Sequence, residues 1–216
     1  MPPQVRLVAV SKTKPVEMLR EAYAAGQRLF GENKALEMRD KHEALPKDIE
    51  WHFIGHLQTN KVKYIAPFVT LIHSIDSLEL LKVVEKEGAK HERVIDCLLQ
   101  FHIATEETKF GLDLGEAEAL LRSADYKAMT HVRICGVMGM ATNTDDMGLV
   151  RREFATLKGY FDRLKGEYFA GSEAFCECSM GMSHDYGIAI EEGATLVRVG
   201  SSIFGARNYG VQVNDV

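Results

Sequence analysis

The sequence predicts an α/β fold, a single (β/α)8 TIM-type barrel spanning residues 1–216 as one domain. Three observations predict it. About eight short apolar, β-branched runs recur along the chain, and stretches of helical period lie between them. Strict alternation of the two implies parallel strands joined by right-handed crossovers, and eight such units can close into a barrel. The length of 216 residues sits at the low end of what that closure requires. An open doubly wound sheet would favour G-x-G-x-x-G after the first strand, where this chain reads "SKTKPV".

The elements follow in order. "VRLVAV" is the first strand, and "VEMLREAYAAG" after Pro15 is a helix whose closing Gly26 suits the position just past a helix end. "QRLFG", "WHFIG" and "TLIHSI" give strands two to four. "SLELLKVVEKEGAK" is the next helix, with Gly88 expected at its C-terminal cap. "VIDCLLQFHI", the helix "GEAEALLRSA", "VRICGVMGM" and the long helix "DMGLVRREFATLKGYFDRLK" continue the alternation. "FCECSM" and "TLVRVGS" complete the eight strands. No Ser-, Pro- or Gly-rich linker divides the chain.

Bulk properties exclude several classes. A hydrophobic content of 46% with 26% charged residues reads as globular. A net charge of -5 gives no reason to expect nucleic acid as a partner. No run approaches the roughly 18 apolar residues of a membrane span, and "MPPQVRLVAV" is not a signal peptide. The four cysteines (Cys97, Cys135, Cys176, Cys178) lie in strand-like segments and are expected buried and reduced, which points to the cytoplasm. No second ligand pair accompanies Cys176 and Cys178, so no metal is expected.

In a parallel barrel the functional side chains gather at the C-terminal rim. Reading the strand ends gives Lys12, Glu32 and Asn33, His56, Asp76, His102, Met140, Ser183 and Arg198. If Val8 and Val10 face inward, the period of two sends Lys12 the same way. An ammonium in an apolar mouth is expected to lose its proton more readily, giving an amine able to condense with an aldehyde. Read without context, Lys12 is equally a strand-end charge reaching water. Lys14 shares its parity but precedes Pro15 in the turn, and is expected to be exposed or a secondary electrostatic partner.

Two further segments complete the reading. In "SMGMSHD" the glycine permits close backbone approach, and Ser183 with the following amides is expected to open a helix from His184 to about Glu192. Such a hydroxyl beside a helix start is an anion site, or a plain cap. In "VRVGSSIFGAR", Gly200 and Ser201 follow the eighth strand, where this barrel type usually binds phosphate. Arg198 shares a face with Leu196 and Gly200 and points inward, so its guanidinium needs a partner. A ligand's ring nitrogen or phosphate is one, and Glu177 is the other. An amine facing a phosphate cradle fits a phosphorylated aldehyde, and pyridoxal 5′-phosphate answers that description.

At these residues the sequence resembles a known family. "LVAVSKTKP", "GQRLFGENK", "WHFIGHLQTNK", "KFGL", "GVMGMA", "SMGMS" and "VRVGSSIFGAR" run in order from residue 5 to residue 209 and are similar to the YggS/PROSC family of pyridoxal-phosphate homeostasis proteins. The resemblance implies a barrel like the alanine racemase N-terminal domain, without that enzyme's second domain. It implies that Lys12 carries the cofactor as a Schiff base, that Ser183, Gly200 and Ser201 hold its phosphate, and that Arg198 faces its pyridine nitrogen. The sequence opens close to its first strand, where the family usually has an additional helix, so a less covered barrel floor is expected.

An arginine at the ring nitrogen favours the unprotonated ring and weakens its capacity to accept electrons. The expected function is therefore intracellular buffering and delivery of pyridoxal phosphate by a monomer, with apoenzymes as recipients and little or no catalysis of its own. The alternative is a pyridoxal-phosphate-dependent amino-acid racemase or lyase.

Overall fold

A computed structural model describes residues 4–105 and 110–205. Lys109 of "KFGL" and the closing Ala206 and Arg207 of the last motif lie outside the described residues. Eight parallel strands close into a barrel in sequence order. They are β1 (Arg6–Val10), β2 (Leu29–Glu32), β3 (Glu50–Phe53), β4 (Leu71–Ile75), β5 (Ile95–Phe101), β6 (Val132–Gly139), β7 (Glu177–Ser179) and β8 (Leu196–Val199). β8 returns to β1, placing Val8 beside Arg198.

Helices α1 (Val16–Ala24), α2 (Ala35–Ala44), α3 (Leu78–Lys90), α4 (Leu114–Arg122), α5 (Ala124–Lys127), α6 (Met147–Tyr168), α7 (Tyr186–Glu191) and α8 (Ser201–Phe204) accompany the strands. Between β3 and β4 the connection is a 3₁₀ helix, Thr59–Tyr64. None of the helices among the described residues is long and apolar enough to cross a membrane.

Two apolar layers follow from strand alternation. Outward residues such as Phe30, Trp51, Phe53, Ile72 and Phe101 pack under the helices with Leu19, Met38, Phe154 and Leu157. Val8, Leu29, Leu71, Leu98, Cys135, Met138 and Leu196 form the smaller cluster inside the barrel. Between Cys97 and Leu98 the β5–β6 register shifts by one residue. Gly136 absorbs that shift at φ +153, and a Cβ there would lie 1.8 Å from the Glu177 carbonyl oxygen. Only glycine lets β7 come this close.

The cap expected at Gly26 is present: the amides of Gly26 and Gln27 close back on Tyr23 and Ala22. Gly88 is different. It lies within α3, and the left-handed residue is Glu92 at φ +53. Glu92 and Arg93 close the helix onto Ala89 and Gly88 through their amides. Gly88 is small for a packing reason, because a Cβ there would meet the His131 carbonyl at 2.8 Å. The buried cysteine expectation holds for Cys97, Cys135 and Cys178, whose burial raises their thiol pKa values, while Cys176 is exposed. The short β7 begins only at Glu177, leaving Cys176 in the preceding connection.

Candidate functional site

The loop after β1 is fixed before it presents anything. Ser11 Oγ donates to Glu32 Oε1 at 2.6 Å, and Lys41 Nζ on α2 donates to the same oxygen and to the Ser11 carbonyl, both at 2.7 Å. Lys41 also reaches Glu37 Oε1, which accepts the Thr13 amide at 2.6 Å. Thr13 has φ +65, a conformation costly for a β-branched residue. The carboxylate on its amide holds it there. Glu32, read from the sequence as a rim residue, is therefore buried and turned toward α2. Its burial raises its carboxyl pKa, opposed by Lys41.

This clamp sets Lys12 and Lys14 on either side of the strained threonine. Both line a cavity of about 430 Å³ at the C-terminal mouth of the barrel, within the size range of small-molecule sites. Lys14 is engaged with the last helix, its Nζ donating to the carbonyls of Phe204 and Gly205 at 2.8 and 3.0 Å. It is an electrostatic partner of α8, as its place in the turn suggested, and is partly buried rather than exposed.

The same cavity is lined by Ser183, Arg198, Gly200 and Ser201, so all five residues singled out in the sequence meet in one place. Of the other rim positions, Asn33, His56 and Met140 line it, whereas Glu32, Asp76 and His102 do not. The loops after β7 and β8 are stitched together, the Gly200 amide donating to Ser183 Oγ at 3.3 Å. At Gly200 a Cβ would stand 3.0 Å from the Val10 carbonyl oxygen, so a side chain would crowd β1. The helix expected from His184 starts later, at Tyr186, with Asp185 as its N-terminal flanking residue. Asp185 instead accepts the Met182 amide at 2.5 Å, tightening the turn that carries Ser183.

Arg198 is buried. It donates to Ser179 Oγ at 2.6 Å and to the Gly139 carbonyl at 3.0 Å. The carboxylate partner considered in the sequence, Glu177, is not used. It lies two residues nearer the barrel floor and pairs with Arg6 at 2.6 Å. Loss of hydration pushes the Arg198 pKa down to about 10, partly opposed by Asp185, which leaves it a cation at neutral pH. A guanidinium has five donors, more than these two bonds use.

Sequence reasoning read Asn33 and His56 as rim positions and missed Phe110 and Gln100, which line the cavity with them. Asn33 Oδ1 is buried with no hydrogen-bond partner, and an orphaned acceptor of this kind calls for an explanation. Phe110 is exposed at the mouth and stacks on His56 at 3.9 Å, while His56 Nδ1 lies 3.2 Å from Asp76. Gln100 holds the Phe110 carbonyl at 3.0 Å. These residues converge from β5 and the connections after β2, β3 and β5, a convergence no single motif reveals. Among the described residues no cluster of His, Cys, Asp or Glu could hold a metal ion.

Comparison with known proteins bears on this geometry. Residues 1–208 match the family described as the alanine racemase N-terminal domain. A pyridoxal phosphate homeostasis protein of Aquifex aeolicus is 42% identical over 206 residues, covering 94% of this chain and 88% of that one. Its namesake from Pasteurella multocida is 35% identical, covering 95% and 88%. The structure of PipY from Synechococcus elongatus with PLP bound matches with a TM-score of 0.84 at 35% identity, covering 95% and 94%. Alanine racemase from Bartonella henselae matches with a TM-score of 0.69 at 17% identity over 55% of its length, which shows a shared barrel fold and no more.

Proposed function

This chain belongs to the pyridoxal phosphate homeostasis protein family, and from that premise we propose that it binds pyridoxal 5′-phosphate in the barrel-mouth cavity. There it holds the cofactor for buffering and delivery inside the cell rather than for turnover of a substrate.

The observation that carries the proposal is the meeting of an amine, two hydroxyls and a buried cation in one cavity: Lys12, Ser183, Ser201 and Arg198. The residues fit the cofactor. The unpartnered Asn33 Oδ1 offers an acceptor in the same cavity. At Gly200 a side chain would strike Val10, so the backbone there stays bare and its amide lies at the cavity wall. When bound, the cofactor supplies an aldehyde for capture by an amine and an aromatic ring able to draw electron density.

Each residue then has a role. Lys12 would hold the cofactor through its aldehyde, as a Schiff base whose formation releases one water. Ser183, Ser201 and the Gly200 amide hold the phosphate oxygens. Arg198, a cation and a donor, faces the ring nitrogen and favours it as an acceptor, which opposes the protonated ring that carbanion chemistry exploits. A competing amine releases the aldehyde by exchange at Lys12.

The test is delivery. Loaded protein mixed with a cofactor-free pyridoxal-phosphate enzyme is expected to restore that enzyme's activity. Racemisation or elimination of L- and D-amino acids by the protein itself is expected near the rate of free cofactor. Robust amino-acid turnover that vanishes with Lys12→Ala would replace the carrier reading with a racemase or lyase.

A further inference from the structure

The barrel interior beneath the cavity contains a polar chain that the proposed function does not use. From Arg198 on β8 the hydrogen bond to Ser179 Oγ on β7 continues to His73 Nδ1 on β4 at 2.9 Å. His73 Nε2 then meets His52 Nδ1 on β3 at 2.8 Å. β7 and β4 are not neighbours in the barrel, so the Ser179–His73 contact crosses its interior. All four side chains are buried.

Such an interior is ordinarily filled with branched apolar residues. Replacing both partners of a buried hydrogen bond by apolar groups is often nearly neutral, so stability alone does not require this chain. Its direction matters instead. Burial pushes His52 down to about 3 and lowers His73 well below the usual imidazole range, with Arg6, Arg198 and the neighbouring ring reinforcing the shifts. Both rings are neutral at neutral pH. Each then has one donor and one acceptor nitrogen. Because Arg198 can only donate, Ser179 Oγ must give it a lone pair, and the hydroxyl proton and the two tautomers arrange themselves around that constraint.

We propose that Ser179 and His73 are positioning residues that fix the face Arg198 presents to the cavity, with His52 holding the His73 ring in place. The proposal rests on the reading of the cavity as a pyridoxal phosphate site. Without the prop the guanidinium keeps its bond to Gly139 but is free to turn about it, and its alignment with a ring acceptor is lost.

The test compares loaded wild type with Ser179→Ala, His73→Leu and His73→Asn, the last keeping a polar atom near the Nδ1 position that faces Ser179. Ser179→Ala and His73→Leu are expected to weaken pyridoxal phosphate binding about tenfold, the effect of losing a hydrogen bond to a charged group. They should also shift the visible absorption band of the bound cofactor. His73→Asn is expected to restore both the affinity and the band position. Because Ser179→Ala removes one atom, it serves even if His73→Leu fails to fold. Wild-type affinity and spectrum in Ser179→Ala, or no rescue by His73→Asn in a folded protein, would overturn the proposal.

A second readout needs no cofactor. Hydrogen exchange at the Arg198 Nη1–H that Ser179 accepts, followed by nitrogen-15 NMR, is expected to be slow in wild type, fast in Ser179→Ala and slow again in His73→Asn. If wild type binds no pyridoxal phosphate, the cofactor reading fails while this measurement still decides the role of Ser179. Unchanged protection in Ser179→Ala would overturn the positioning role.

Discussion

Lys41 sets its ammonium 2.7 Å from Glu32 Oε1, and both side chains are buried between α2 and the ends of β1 and β2. Removing one partner of such a pair strands the other. Lys41→Met should therefore cost about 3–5 kcal/mol in urea unfolding. The sign with pH follows from Glu32, whose carboxyl pKa burial raises and Lys41 now restrains. Without Lys41 the folded state holds a proton that the unfolded state has released, so stability falls as pH rises through the folded pKa. The deficit of the variant should be smaller near about pH 5 than near about pH 8. An equal deficit at both values would show that Glu32 is not the group left stranded.

Lys12 should carry the cofactor. Borohydride reduction of the loaded protein and peptide mapping are expected to place the pyridoxyl group on Lys12, and Lys12→Ala should lose the visible absorbance. Lys14 is held by the carbonyls of Phe204 and Gly205, which competes with any role as a nucleophile. An adduct found mainly on Lys14 would reverse the assignment.

Ser183 and Ser201 should act on affinity and not on folding. Each hydroxyl bonded to a charged phosphate contributes roughly 1.5–3 kcal/mol. The double alanine variant should bind pyridoxal phosphate at least about tenfold more weakly, with an unchanged melting temperature in the absence of cofactor. Wild-type affinity would put the phosphate elsewhere.

Gly136 should tolerate no side chain. In Gly136→Ala the new methyl group would meet the Glu177 carbonyl at 1.8 Å from a backbone at φ +153. The strands must separate, at a cost above about 4 kcal/mol, among the larger effects of single substitutions. Soluble yield and unfolding midpoint would measure it, and a midpoint near wild type would mean that β6 and β7 are less tightly joined than the register requires.

The barrel was legible because its strands are continuous apolar runs buried on both faces, which is how parallel strands read. α2 was not. Its sequence "ALEMRDKHEA" is mostly polar, and it docks through the buried Lys41 as well as Met38 and Ala35, so no apolar stripe announces it. The 3₁₀ helix after β3 is short and carries a single fully buried residue, Val62. The residues lining the candidate cavity were legible where they stand on motifs at strand ends, as Lys12, Ser183 and Arg198 do. The partner of Arg198 was not, because Ser179 stands on the neighbouring strand β7 within reach of the same face as Glu177, and its own partner His73 comes from across the closed barrel. Glu177 shares a face with Ser179 and looked equally available, but it stands at the start of β7 and pairs with Arg6.

Because β1 closes against β8, the amine of Lys12 and the guanidinium of Arg198 come from the two ends of the sequence and meet at the seam. A growing chain stopped short of Leu196 has its amine and Ser183 but neither the opposing cation nor the Gly200 and Ser201 loop, so the cavity is incomplete. Occupancy is thus a property of the finished barrel. If the cavity takes pyridoxal phosphate as proposed, the cofactor would bind only that state and favour closure by mass action.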